Sequence, residues 1–206
     1  MRRLAALVGL LLALCVALTA CGQREDPYAD VPNPIATITM EDGSTMRFEL
    51  LLSAAPNTVA NFAALANDGF YDGLEFFRVV PGVLIQSGDP NNDGTGNAGY
   101  TIAGEFSANG YDNSLSHARG TISMARQKAY NSASSQFFIL VGNYPEYDGQ
   151  YAAFGTAMDA ETLQTLDAIA AQPVDGNYLP YKRQIIQTIR VNTHNVDLTL
   201  ETLPIE

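Results

Sequence analysis

At 206 residues, 47% of them apolar, the chain is long enough for one globular domain with a sizeable core. Only 16% of residues are charged, and 22 acidic against 11 basic side chains leave a formal charge of −11. Without clustered Lys and Arg there is no footprint for a phosphate backbone, which excludes nucleic acid as a partner.

In chain order, the first twenty residues read as an address rather than as structure. Arg2 and Arg3 form a positive start, and Leu4 to Leu18 form an apolar run. That run is shorter than the roughly 20 residues a membrane span needs. It ends in Leu18-Thr19-Ala20-Cys21, which resembles a bacterial lipobox, where the cysteine is lipidated and becomes the new N-terminus. The plainer alternative is an ordinary cleaved signal peptide with a cysteine nearby. Several acyl chains on Cys21 would anchor the protein stably where one would not. Cys15 leaves with the signal, so the folded part has no disulfide, thiol nucleophile or thiolate metal site. The expected organisation is a signal peptide over residues 1–20, lipidated Cys21 with a linker over 21–34, a folded domain over 35–192, and a tail over 193–206. The linker, GQREDPYADVPNP from Gly22 to Pro34, could hold the domain up to about 45 Å from its anchor.

Ile35 to Met40 alternates apolar residues with threonine, Asp42-Gly43 offers a turn, and Thr45 to Leu51 returns as a second strand. Ser53 to Gly69 reads as a helix, with Pro56 in its first turn, an apolar face of Val59, Phe62, Ala63 and Leu65 or Ala66, and Gly69 as its stop. Short strands follow at Leu74–Val80, Val83–Ser87, Thr121–Ala125, Phe137–Val141 and Ala152–Gly155. A second helix spans Asp159 to Ala171, with Asp159 as N-cap, Leu163, Leu166, Ile169 and Ala170 on its apolar face and Pro173 beyond its end. Arg183 to Val191 is a last strand. Many short strands with two helices predict a mainly β protein, a closed barrel plugged or flanked by helices, without fixing the strand order.

Two loop motifs fail on context. Gly94 to Gly99 (GTGNAG) matches the dinucleotide fingerprint GxGxxG, but no buried strand precedes it and no helix opens after it. Asp89-Pro90-Asn91-Asn92-Asp93-Gly94 matches the first half of a calcium loop. Its twelfth position is Tyr100 rather than glutamate, and the stretch reads as an Asx-rich turn. The two histidines are His117, just before a strand, and His194 in the tail. With no GxSxG elbow they support neither a serine-hydrolase triad nor a zinc site. What remains is binding, or catalysis by shape and hydrogen bonding.

The stretch that stands out is Phe76 to Pro90, FFRVVPGVLIQSGDP, with its echo SQFFIL from Ser135 to Leu140. It sets a lone arginine, Arg78, inside an apolar run. A charge there is costly unless it is paired or lines a wet cleft. A structural salt bridge, or a side chain snorkelling from a strand edge, competes with a functional role.

Taken together, YDGLEFFRVVPGVLIQSGDP, RGTISMAR, NSASSQFFIL and DGQYAAFG resemble the cyclophilin-type peptidyl-prolyl isomerases, in order, from about Ile35 to Val191. The resemblance implies an eight-stranded antiparallel closed β-barrel flanked by two α-helices, acting without a cofactor or metal as a monomer. It implies catalysis by Arg78 with Gln86. The substrate-binding positions it implies are Val83, Leu84, Ala125, Arg126, Gln136, Phe138, Tyr147 and Tyr151. The substrates implied are proline-containing, unfolded or partly folded polypeptides. Read with the lipobox, this is an extracytoplasmic isomerase anchored to a bacterial membrane through Cys21. The sequence departs from the family pattern at Val83 (commonly Phe), Leu84 (commonly Met), Arg126 (often Asn), Glu146 and Tyr147 (often an aromatic residue and Leu), and Tyr151 (His in many eukaryotic members). Loss of an aromatic wall at Val83 keeps a second reading open, a module that binds proline segments with little turnover. Calcium-dependent adhesion through Asp89–Asp93 is a third.

Overall fold

Alternation of apolar and polar residues builds the first hairpin. The computed structural model describes residues 28–205; Cys15, Cys21 and the expected signal peptide lie outside the described residues. In β1 (Ile35–Met40), Ala36, Ile38 and Met40 are buried, and in β2 (Thr45–Leu50), Met46, Phe48 and Leu50 are. The turn between them uses Gly43 at φ +85°, a conformation that costs a side-chain-bearing residue. Next comes α1 (Pro56–Asn67), with proline in the first turn as expected. Its N-cap, Ala55, offers no side-chain hydrogen-bond acceptor. Instead the buried carboxylate of Glu105 accepts from Asn57 N at 3.0 Å, Thr58 N at 2.7 Å and Thr58 Oγ1 at 2.6 Å. A negative group is thus placed at the positive end of the helix from far along the chain.

The remaining strands are β3 (Arg78–Val80), β4 (Leu84–Ser87), β5 (Thr121–Met124), β6 (Phe137–Leu140), β7 (Ala153–Ala157) and β8 (Ile186–Asn192), with α2 (Ala160–Ala170) between the last two. Asp159 caps α2 by accepting from Thr162 N at 2.8 Å. The eight strands form one antiparallel sheet in the order β3-β4-β6-β5-β7-β2-β1-β8. Inside its curve Phe62 of α1 meets Tyr71, Phe137 and Phe154 at ring distances of 5.2 to 5.3 Å.

The sheet is an open, curled half-barrel, which corrects the expectation of a closed eight-stranded barrel. The end strands β3 and β8 share no ladder; across the seam stand the bridge Glu75↔Ile185 and main-chain hydrogen bonds of the 73–76 segment with Gln184 and Ile186. The cause is local. β3 is only three residues long and stops at the Pro81-Gly82 turn. Its outer edge is already occupied, because Val79 N donates to Tyr178 O at 2.8 Å. A loop leading into β8 therefore covers the edge that closure would have used. Arg183 pins that loop, donating from Nε to the largely buried Glu75 carboxylate at 2.7 Å. The tail beyond β8 returns to the domain, where Leu203 bridges to Thr101.

Candidate active site

Strand register assembles the site. Across the sheet Arg78 pairs with Gln86, Gln86 with Phe138, and Phe138 with Ser123. Residues directly opposite one another share a face, so these four side chains form one row on the sheet face opposite the main core. The adjacent row, Val79, Ile85, Ile139 and Ile122, points into the core and is fully buried.

Along the first of these rows runs a directional relay. Gln136 Nε2 donates to two main-chain carbonyls, Gly94 O at 3.1 Å and Gly96 O at 2.9 Å. Its oxygen must then accept, and it does so from Gln86 Nε2 at 2.9 Å. Gln86 Oε1 is left to accept from Arg78 Nη1 at 3.0 Å. The carbonyls of the 94–96 loop thereby orient a guanidinium two side chains away. That is what the GTGNAG segment does here: a side chain at Gly96 would collide with the Asp89 carboxylate. Asp89 is itself fully buried, accepting from Asn91 N and Asp93 N, so its oxygens serve the loop's own turn.

Arg78 is half-buried, and among the described residues no carboxylate lies within ion-pair distance of it. The Tyr178 ring stands 5.9 Å from its guanidinium carbon, within cation–π reach. The salt-bridge explanation of this arginine therefore fails. Its remaining N–H donors border a groove of about 570 Å³.

That groove brings together Arg78, Leu84, Gln86, Ala125, Arg126, Phe138, Tyr147 and Tyr151 from the sequence reading. Gln136 stands behind it as the relay's end and lines a neighbouring cavity. Val83 lies outside the groove, packed beside Leu84, Phe138 and Leu140. The aromatic wall comes instead from Phe138, Tyr147 and Tyr151, whose rings meet pairwise at 5.3 to 6.0 Å. Glu146 is exposed on a short 3-10 turn and also lies outside the lining. Arg126 is consumed within the protein. Its guanidinium carbon lies 4.9 Å from the Tyr151 ring centre, 5.0 Å from Tyr130 and 5.1 Å from Phe106, and Nε donates to Gln150 O at 3.0 Å. It braces the groove as a strut.

Sequence reasoning missed Phe77 and the 175–179 wall, of which Asp175, Asn177 and Leu179 face the groove. Phe77 was legible as part of the apolar run; the wall carries no motif and reaches the site only through the fold. His117, which the sequence reads as structural rather than as a triad or zinc residue, has its place beneath the site. It lies buried beneath the groove, stacked 6.2 Å from Phe138, with Nδ1 3.0 Å from Asp148 Oδ1 and Nε2 3.0 Å from Ser123 Oγ. Serine, histidine and carboxylate stand in the order of a hydrolase triad, yet Ser123 is completely buried, so no substrate carbonyl reaches it. The trio is a floor. Burial holds the His117 imidazole below its usual range, against the opposing pull of Asp148. The unfolded chain then binds this proton more readily than the folded one. Stability from this site is complete above about pH 6.5 and falls as pH drops from there towards the folded value. Urea midpoints at pH 7.5 and 5.5 should show a smaller loss for His117→Gln than for wild type; equal losses would remove His117 as the source.

Comparison with known proteins agrees with this geometry. Residues 35–191 match the model of the family described as cyclophilin type peptidyl-prolyl cis-trans isomerase. The chain is 47% identical over 116 residues to peptidyl-prolyl cis-trans isomerase B of Bacillus subtilis, covering 56% of this chain and 78% of that protein. A peptidyl-prolyl cis-trans isomerase of Synechococcus elongatus is 42% identical over 134 residues, covering 65% and 87%. A crystal structure of a cyclophilin-type isomerase from Cryptosporidium parvum superposes with a TM-score of 0.69 at 32% identity, over 78% of this chain and 98% of that one. The chain belongs to the cyclophilin-type peptidyl-prolyl cis-trans isomerases.

Proposed function

We propose that this isomerase turns X-Pro bonds by seating the proline ring against Phe138, Leu84 and the two tyrosines while Arg78 addresses the imide nitrogen. An X-Pro bond exchanges in tens to hundreds of seconds because amide resonance must be lost at the barrier. No bond breaks, so neither a nucleophile nor a metal has a task. A guanidinium aimed at the nitrogen favours its pyramidal, lone-pair-bearing form, which exists only near the top of the barrier. The observation that carries this reading is the relay from Gly94 and Gly96 through Gln136 and Gln86 to Arg78. It orients the guanidinium before substrate arrives, so little reorganisation is left for the reaction. Because Val83 lies outside the groove, its departure from the family pattern leaves the aromatic wall in place, which favours turnover over binding alone.

The lipobox-like Leu18-Thr19-Ala20-Cys21 supports the second half of the proposal, a monomer tethered outside the cytoplasm through lipidated Cys21 and acting on secreted or surface chains as they fold. Two measurements test the whole. A soluble form beginning at Gly22 should average the cis and trans NMR signals of an Ala-Pro peptide at catalytic concentration; rates equal to the blank would retire catalysis on that peptide. Expressed in a bacterium, the full chain should fractionate with membranes and Cys21→Ser should not. Membrane retention of the serine variant would remove the lipid anchor.

A further inference from the structure

A second cavity of about 660 Å³ adjoins the catalytic groove and shares Gln86, Gly94, Ala125 and Arg126 with it. One of its walls is built by Leu203, Pro204 and Ile205. These residues lie beyond residues 35–191, the segment that matches the family model.

The wall is fastened rather than draped. The Asn57 carboxamide grips the main chain of Glu201 from both sides, Nδ2 donating to Glu201 O at 3.0 Å and Oδ1 accepting from Glu201 N at 2.8 Å. Two residues on, Leu203 and Thr101 exchange main-chain hydrogen bonds of 2.9 and 2.7 Å. Both anchor points are firm, since Asn57 sits in the first turn of α1 under Glu105 and Thr101 itself lines the cavity. The strap ends on two apolar side chains that core packing does not explain, Leu203 at 37% and Ile205 at 51% exposure. Facing them across the cavity is the Lys128–Ser132 loop with the Tyr130 ring.

We propose that the strap over residues 201–205 is a specificity element of the isomerase site, selecting substrates that carry a bulky apolar side chain about two residues from the proline. The proposal rests on the isomerase reading above. Because the two cavities share Gln86 and Ala125, a substrate chain leaving the proline pocket past these residues enters the second cavity, and two extended residues span about 7 Å. There a leucine or phenylalanine side chain would displace water from Leu203 and Ile205, while glycine would leave them wet.

The test uses two pairs of proline peptides, one pair differing only as leucine or glycine at the second residue before proline, the other at the second residue after it. Each protein is scored by the leucine-to-glycine ratio of kcat/KM. Wild type should favour leucine by about tenfold at one of the two positions. The double variant Leu203→Ser/Ile205→Ser should bring that ratio to within about twofold of one, through KM. Asn57→Ala, which unfastens the strap without touching the cavity, should lower the same ratio, and it decides the matter if the double variant fails to fold. A folded double variant that keeps the wild-type ratio overturns the proposal, as does a wild type without preference at either position. Wild type that accelerates no peptide of either pair overturns the isomerase reading itself, a distinguishable result.

Discussion

Replacing Arg78 by alanine should lower kcat/KM for an Ala-Pro peptide about a hundredfold, the cost of losing one preorganised donor aimed at the transition state. Because Arg78 forms no ion pair with a described carboxylate and is half-buried at the groove, its loss strands no buried charge. Gln86 Oε1, also at the groove, can take water in its place. The melting temperature should therefore stay within a few degrees of wild type. Arg78→Lys retains the charge but loses the planar fork that lets one N–H hold Gln86 while others face the substrate, so it should recover only a small part of the rate. NMR exchange of the peptide, with thermal melts alongside, checks all three statements. A folded Arg78→Ala protein with wild-type turnover would end the assignment of Arg78 as the catalytic residue.

Phe138→Ala should weaken substrate handling and the fold together. The ring is 3% exposed, touches His117, Tyr147 and Tyr151, and lies at the base of the groove. Removing it takes away the apolar surface on which a proline ring would rest, worth about 1.5–3 kcal/mol, or roughly ten- to a hundredfold in kcat/KM. Because a grip on the proline ring holds ground state and transition state alike, the loss should appear mainly in KM. The void also loosens the packing above His117, and a stability loss of about 3 kcal/mol is expected, at the low end for Phe→Ala because water from the groove can enter. Phe138→Leu should restore most of both. Unchanged KM in a folded Phe138→Ala protein would move the proline pocket elsewhere.

The two substitutions separate the tasks of the site: Arg78 acts on the amide as it twists, whereas Phe138 holds the ring beside it. Between them stand Gln86 and Gln136, whose carboxamides are positioning groups. Their orientation is set by the Gly94 and Gly96 carbonyls, so loop, relay and guanidinium form one connected unit.

Much of this protein was legible from neighbouring residues alone. Period-two alternation marks β1 and β2, Pro56 and Asp159 mark the starts of the two helices, and the lone Arg78 in an apolar run marks the groove, because each signal depends on residues close in sequence. The tertiary structure decided what depends on distant ones. Register across β3, β4, β6 and β5 set Arg78, Gln86, Phe138 and Ser123 in one row, although they span residues 78 to 138. Occupation of the β3 edge by Tyr178 left the sheet open where its strand count predicted closure. Val83 lies outside the groove while Arg126 is drawn into a cage of rings. The tail returns beside the site through Asn57 and Thr101. Local propensity is a property of a few adjacent residues, whereas pairing, edge cover and groove lining are set by which distant segments exclude water from one another.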